Sequence, residues 1–553
     1  MFSQVLNPTG NLGLTVLAAL IPVVFLLVLL AAFRVTAWLA TLIGSILTLI
    51  VAITLWHLPV GAGITSYLIG SANGIWAVDW ITFWGVIIFN TLKLTGLFDT
   101  FKLWLVERAT ADVRAQAILL AWALGALLEG LVGFGYPWAV IAPILITLGV
   151  IELDAIRVAA IANNAPVSYG ALGAPIIALA AVTNLPLLSL SASVGKIVAV
   201  LALLPPWVLI YLVTGRKGFR DGWPLAVVGS LAYILGQFPV SQFLGPYLPD
   251  IVGALVSFGA LLLLLRFWRP KTVLGYGGIP LNAETQVALS AGGIPLNAED
   301  QVAPGTAGIE NPTSQHSIFE ALLPFLILVV VVVLWTGPWS PLPKVIVVNF
   351  PLKAISSISH KVTSVAYAFT PFIAGTSILG SWLVMLLFIR PSAAILGQVF
   401  RETFRQMWGA LLVGVFIFGL AFVFNYSGMA ASLAYGFSKV GPAFILLAPI
   451  LGWIGVALSG SNTSTNSLFG LVQVQVGRLL GFPVLLLPSL NSTGAEVGKP
   501  VAPQTTSVGV STTSYVRKEG QVIRHNMGWT LILLAWLIIV GLLYYFLFPG
   551  FMR

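Results

Sequence analysis

The chain has 553 residues, 58% of them hydrophobic and only 8% charged, with a net charge of +9 at neutral pH. A soluble domain carries about a quarter charged residues, so a water-exposed surface of this size cannot be covered and the bilayer must be the main solvent. With no cysteine in the chain, disulfides, iron–sulfur clusters and thiol chemistry are excluded. In lipid each backbone polar group needs an internal partner, which leaves helices or closed barrels. The apolar runs are about 20 residues long, the length of a spanning helix and twice that of a barrel strand. His57, His316, His360 and His525 fall at the ends of apolar runs or in polar loops, which argues against a haem-bearing redox bundle. In this setting the positive charge is a topology signal and an affinity for anionic lipid, not for nucleic acid.

Residues 1–13 have no basic n-region and no clear cleavage site, so the first apolar run is expected to be a retained span. Spans are predicted at residues 12–33, 35–56, 80–98, 196–213, 223–238, 250–267, 318–335, 367–389, 407–424, 442–458 and 527–547. Two further regions, 115–182 and 459–513, are apolar but interrupted by glycine, proline and polar residues. The expected fold is an all-α polytopic membrane protein of about 12–14 transmembrane helices with re-entrant or broken helices. The expected organisation is N-terminal helices in 1–79, a first transport repeat and following helices in 80–267, a cytoplasmic loop in 268–316, linking helices in 317–406, and a second repeat with the C-terminal helix in 407–553.

Lysine and arginine in short loops set orientation. Arg108 with Arg114, Arg216 with Lys217 and Arg220, Arg266 with Arg269 and Lys271, and Arg390 with Arg401 and Arg405 form four basic clusters. An even number of spans separates the second from the third and the third from the fourth, so they share the cytoplasmic side. Arg34 joins them and places the N-terminus outside. Lys344, Lys353 and Lys361 then fall outside, against the trend. Within the 268–316 loop the twelve-residue stretch 277–288 recurs almost unchanged at 292–303, a duplication in a tolerant linker.

A fainter repeat spans the halves. Asn90, Gly96, Glu129–Gly130, Gly149 and Asn163–Asn164 are echoed at Asn425, Gly428, Ser459–Gly460, Gly481 and Asn491. With the orientation above, the two copies run in opposite directions across the membrane. Inverted repeats with interrupted helices are a common plan of secondary transporters, which bind substrate at the repeat interface.

Four motifs carry the candidate chemistry. E-G-L-V-G-F-G-Y-P at 129–137 breaks a helix in an apolar setting, and broken backbone there must be buried in protein or line a wet cavity. Amides freed near Gly133 and Gly135 suit a carboxylate, and Glu129, an ionisable group at membrane depth, suits a proton carrier. A small-residue packing kink is the structural alternative. N-N-A-P-V-S-Y-G-A-L-G-A-P at 163–175 interleaves amides and a hydroxyl with helix breakers. Asn163, Asn164 and Ser168 can bond a carboxylate or a hydroxyl, Gly173 is placed with them as a substrate-binding position, and the prolines suggest first helical turns. S-G-S-N-T-S-T-N at 459–466 is too polar to face lipid, which makes Ser461, Asn462 and Thr463 a binding loop or an aqueous lining. N-S-T-G-A-E-V-G-K-P at 491–500 offers Asn491 and Thr493. It also holds Glu496 and Lys499 at i, i+3, which pair if helical; otherwise Lys499 is the cation for a substrate carboxylate. Among the other charges, Lys93 and Lys196 read as snorkelling side chains, and Arg157 as a partner of Asp154 one turn back.

These motifs, in this order, resemble the L-lactate permease family of bacteria and archaea. The resemblance runs from Trp80 to Trp268 and from Met407 to the end, and it includes G-P-x-L-P-D-I at 245–251 and G-K-x-x-[SA]-P-Q at 498–504. It implies a plasma-membrane carrier of lactate, in some members glycolate, driven by protons. Asn462 stands where many relatives have Asp, which removes one acid from the expected proton path, although Glu496 is near enough in sequence to restore one. Pro500 replaces a more usual Met. The Ser461–Asn462–Thr463 triplet also looks like those of sodium-coupled dicarboxylate carriers, so a sodium-coupled carrier of another small carboxylate is the alternative. No resident cofactor or metal is implied. The partners are a small carboxylate and membrane lipid, and the oligomeric state is open. An intramembrane hydrolase needs a nucleophile with a base, and no such pair lies in the polar runs. A channel needs pore-lining rings from an oligomer.

Overall fold

A computed structural model describes residues 2–108, 110–133, 135–282 and 316–552. The second copy of the duplicated loop and half of the first, 283–288, lie outside the described residues. Among the described residues ten helices are long and apolar enough to cross a membrane, or eleven if the bent pair Glu152–Ala162 and Val167–Thr183 counts as one span. Tyr136–Thr147 and Ala374–Ile389 are shorter apolar helices.

Three differences from the sequence expectation have local causes. Val60–Asn73, not expected to span, continues through a π-helical turn, Gly74–Asp79, into Trp80–Leu94 as one span. Its glycines lower its hydropathy but bring it close to the Ala393–Ser427 helix. A Cβ on Gly70 would lie 2.4 Å from the Phe418 carbonyl oxygen, and one on Gly74 2.6 Å from that of Gly414. Small residues at such contacts are how membrane helices pack. The span expected over 196–213 is two helices, Leu187–Leu201 and Pro205–Thr214, because Pro205 and Pro206 open a new first turn. The span expected over 367–389 begins only at Ala374. Before it, Val348–Ile355 and Val362–Phe369 form an antiparallel hairpin, and Phe2–Ser3 adds a parallel strand. Valine and alternating polar residues there favour strand.

The basic clusters gather in space. Arg114 is buried, makes a two-pronged ion pair with Asp112 (2.6 and 2.9 Å), and donates to the carbonyls of Gly218 and Thr272. Its own segment, the 216–220 cluster and the 266–271 cluster therefore meet at one end. Lys353 lies in the hairpin strand that pairs with Phe2–Ser3, which puts it beside the N-terminus. Lys196 does not simply face lipid: its Nζ donates to the Phe551 carbonyl at 2.6 Å. Arg157 pairs with Asp154 (3.2 Å), and His525 and Tyr276 also bond Asp154, tying the bent pair to the Glu519–Leu547 helix.

The repeat is structural. Leu97–Arg108 follows a left-handed glycine at Gly96, as Met429–Ser438 follows Gly428, and both glycines have positive φ. Gly149 and Gly481, both at positive φ, separate Tyr136–Thr147 from Glu152–Ala162 and Asn462–Leu480 from Leu486–Gly498. Each pair of glycines is 332 residues apart. The leading helices are antiparallel: Gly74 meets Gly414, while Asn90 donates to Thr403 at 2.8 Å. That is the direction an inverted repeat requires. Helix Ala393–Ser427 is unbroken across residue 406.

Arg114→Met leaves the Asp112 carboxylate buried without its cation. The expected loss is about 3–5 kcal/mol, seen as a lower thermal unfolding midpoint of the detergent-purified protein. Arg114→Lys should restore only part of it, since an ammonium cannot make the two-pronged contact.

Candidate functional site

Each half of the chain has a helix that stops in mid-protein and restarts. In the first half, Gly125–Leu131 ends at the 129–137 motif, where Gly133 (φ 68°) and Gly135 (φ 78°) turn the backbone into Tyr136–Thr147. In the second, Phe444–Ser459 ends at Gly460 (φ 74°), and Ser461 caps Asn462–Leu480 by accepting from the Ser464 amide at 3.2 Å. Both tips reach the start of the Pro503–Gly509 helix. Gly135 lies against Thr505, Gly460 lies against Gln504, and the Thr505 hydroxyl donates to the Gly460 carbonyl at 3.1 Å. Left-handed glycines are needed here because a Cβ would strain the backbone and strike these neighbours.

Between the tips lies a cavity of about 340 Å³, lined by Glu129, Gly133, Tyr136, Ser459–Ser464, Lys499, Gln504 and Thr505, by the turn at Gly170–Ala171, and by Asp79, Thr82, Gln406 and apolar side chains of the N-terminal helices. Lys499 is the only lysine or arginine among the described lining residues. Its Nζ meets Glu129 Oε1 at 2.5 Å, and both side chains are buried. Glu129 Oε2 accepts from the Asn163 amide at 3.0 Å. A buried ion pair of this kind holds only while each partner is present: removal of either strands the other charge in a low-dielectric setting. Among the described residues no cluster of three His, Asp or Glu suited to a metal is present.

Residues 15–548 match the sequence model of a family described as L-lactate permease. The chain belongs to the L-lactate permease family. The glycolate permease GlcA of Escherichia coli (strain K12) is 34% identical over 567 residues, covering 99% of each chain. The L-lactate permease of Bacillus subtilis (strain 168) is 31% identical over 583 residues, again covering 99% of each. Among solved structures the YdaH transporter of Alcanivorax borkumensis superposes with a TM-score of 0.46 at 15% identity, over 88% of this chain and 89% of that one. With its apolar spans, this member of the permease family is a multi-pass membrane transporter.

The structure sorts the sequence candidates of this permease into two shells. Glu129, Gly133, Ser461, Asn462, Thr463 and Lys499 line the cavity. Gly135, Asn163, Asn164, Ser168, Gly173, Asn491, Thr493 and Glu496 lie behind it. Lys499 does not pair with Glu496 as their spacing suggested. The Leu486–Gly498 helix stops one residue before Lys499, which turns to Glu129 of the other half, while Glu496 accepts from the Ser168 amide at 2.8 Å. Ser168 and Ser492 share a hydrogen bond at 2.9 Å, and Asn462 donates to Ser168 at 3.4 Å and to the Ser492 carbonyl at 3.2 Å. Asn466 bonds Ser492, Asn491 donates to Asn466, and Gln473 donates to Asn491. Thr493 bonds its own helix at Ser489, and Gly173 lets the left-handed turn Ala171–Gly173 press against Pro246. Asn462 Oδ1, Asn163 Oδ1 and both amide atoms of Asn164 have no hydrogen-bond partner among the described residues; of these residues only Asn462 is at the cavity wall. Asp79, Gln406, Gln504 and Thr505 also reach the wall, although none was among the candidate site residues and only Gln504 fell in a quoted motif. Asp79 had a visible signal, an acid inside an apolar stretch, but it fell just outside the predicted start of a span.

Asn491→Leu should lower thermal stability by about 1–3 kcal/mol by stranding Asn466 and Gln473, while changing the apparent substrate affinity less than Asn462→Ala does. Thermal unfolding and uptake kinetics of the two variants, side by side, check this.

Proposed function

We propose that this protein is a secondary active transporter of the plasma membrane that moves L-lactate, glycolate or a similar 2-hydroxy monocarboxylate together with a proton. The observation that carries the mechanism is the Lys499–Glu129 pair in the cavity between the two halves. The named relatives support the substrate class.

The substrate carboxylate competes with Glu129 for Lys499. Once Lys499 turns to the substrate, Glu129 is left buried without its cation, and a buried carboxylate in that position takes a proton. One anion bound thus brings one proton, and release of the anion restores the pair and expels the proton. This couples the two by electroneutrality of the cavity. Asn163 holds Glu129 in place through both states, accepting from the acid through Oδ1 when Glu129 is protonated. The Asn462 amide oxygen and the Ser461–Thr463 helix start meet the rest of the substrate: Asn462 Oδ1 is the acceptor for its 2-hydroxyl. The apolar wall accommodates its small carbon skeleton. Its chemistry is binding and release, with no bond made or broken in the substrate.

Uptake of labelled L-lactate and glycolate into proteoliposomes under an imposed pH gradient, with and without sodium, tests the reading. Uptake should follow the proton gradient and ignore sodium; a strict sodium requirement would overturn the coupling. Glu129→Gln should accumulate less against a gradient than the parent and keep exchange. Lys499→Met should weaken apparent affinity at least about tenfold, or about 1.4 kcal/mol. Normal accumulation by Glu129→Gln would remove its assigned role.

A further inference from the structure

A second acid lies on the same cavity with no cation. Asp79 ends the π-helical turn Gly74–Asp79 in the middle of the Val60–Leu94 span. The residue is 7% exposed, Oδ2 has no hydrogen-bond partner among the described residues, and no ion pair among them includes it. Its carboxyl presses against the backbone of the Ala393–Ser427 helix at Gly414, where a Cβ would lie 2.2 Å from Oδ1. Tyr67 and Lys93 on its own span, and Arg401, Glu402 and Arg405 on the helix it faces, lie two or more helical turns away along the chain. Ala374–Ile389 and Gly170–Thr183, the other helices packed on this turn, carry no ionisable side chain. On the cavity wall the ionisable side chains are Asp79, Glu129, Tyr136 and Lys499.

A structural acid in such a place is normally given donors or a cation, because an unpaired buried charge is costly. Among the described residues Asp79 has neither, and it opens instead on the cavity that also holds Lys499. The π-turn that ends at Asp79 is a rare feature, found frequently at functional positions. With one cation in the cavity and that cation committed to the substrate, a charged Asp79 would repel the bound monocarboxylate across a low-dielectric space.

We propose that Asp79 is a second proton-binding site of the substrate cavity, and that the monocarboxylate anion binds only when Asp79 is neutral. The proposal rests on the transport reading above and adds a proton to the binding step beside the one taken by Glu129. It also makes Asp79 a filter: a second carboxylate on the substrate would meet this acid, so dicarboxylates are excluded.

The sign follows from linkage. An anion that binds only the protonated form has full affinity below the titration of Asp79, and loses about tenfold in affinity for each pH unit above it, per proton taken up. The test is L-lactate affinity of the purified, detergent-solubilised full chain against pH, by titration calorimetry, for the parent, Asp79→Asn, Glu129→Gln and the double variant. Asp79→Asn should bind lactate and lose about tenfold per pH unit from the parent's slope, Glu129→Gln should lose its own share independently, and the double variant should be flat. Asp79→Asn should also gain binding of a hydroxy-dicarboxylate. Asp79→Ser serves as the second neutral variant if Asp79→Asn does not remain monodisperse. A neutral, folded variant that keeps the parent's full pH slope overturns the proposal, as does one that no longer binds lactate at low pH. Failure of the parent to bind any monocarboxylate would instead overturn the transport reading itself.

Discussion

The arrangement depends on one buried ion pair. Glu129 closes a helix of the first half, and Lys499 follows a helix of the second. Neither charge is tolerable at this depth alone, so the two halves must come together for either to be buried. The pair therefore fixes how the broken helices face each other, and with them the cavity. Its position also makes it exchangeable: an incoming anion such as a carboxylate can replace Glu129 at Lys499 without stranding a charge, provided a proton moves with it.

Around that pair the structure separates binding from support. The wall presents Glu129, Lys499 and the Ser461–Thr463 helix start. Behind it, Gln473, Asn491, Asn466, Ser492 and Ser168 pass hydrogen bonds along a buried polar chain that ends on Asn462 at the wall. The chain links the broken region at Ser168 in the first half to helices Asn462–Leu480 and Leu486–Gly498 in the second. Such a chain in an apolar core favours a single geometry, since each displaced member leaves a partner unsatisfied. The close approach needed for it comes from glycines: a Cβ on Gly452 would lie 2.0 Å from the Asn491 carbonyl oxygen, and one on Gly494 2.2 Å from that of Pro449. The glycines that look like helix breakers in the sequence thus have two different uses. Some turn the chain at positive φ, as at Gly133 and Gly460. Others, as at Gly414 and Gly452, stay helical and let helices touch.

The N-terminal helices contribute more than anchoring. The Val60–Leu94 span crosses Ala393–Ser427 with its small residues inward and brings Asp79 to the cavity. The cavity is thereby walled by three parts of the chain, and only two of them belong to the broken-helix motifs. The hairpin Val348–Ile355 and Val362–Phe369 with the Phe2–Ser3 strand packs beside the end of the Ala393–Ser427 helix, where Tyr426 donates to the Lys353 carbonyl, and Gln4 bonds the Asn425 and Tyr426 carbonyls just before the break at Gly428.

The sequence by itself determined the solvent, the helical class, the basic end, the two interrupted regions and the family. Each of these rests on composition or on short ordered motifs, which are local properties. It also marked Glu129, Lys499 and the 461–463 run as unusual, because polar groups in apolar stretches demand an explanation wherever the chain goes. Only the tertiary structure decided who meets whom. Lys499 has Glu496 one turn away in sequence, yet its partner is 370 residues distant, because the helix ends at Gly498 and releases the side chain toward the other half. Asn491 and Thr493 look as polar as Asn462, but the first is spent on the buried network and the second on its own helix, whereas Asn462 reaches the wall. Val60–Asn73 looked too weakly apolar to span, since its glycines serve a packing partner more than 300 residues away. Pairing energies of this kind act through space between residues remote in sequence, and no local pattern records them.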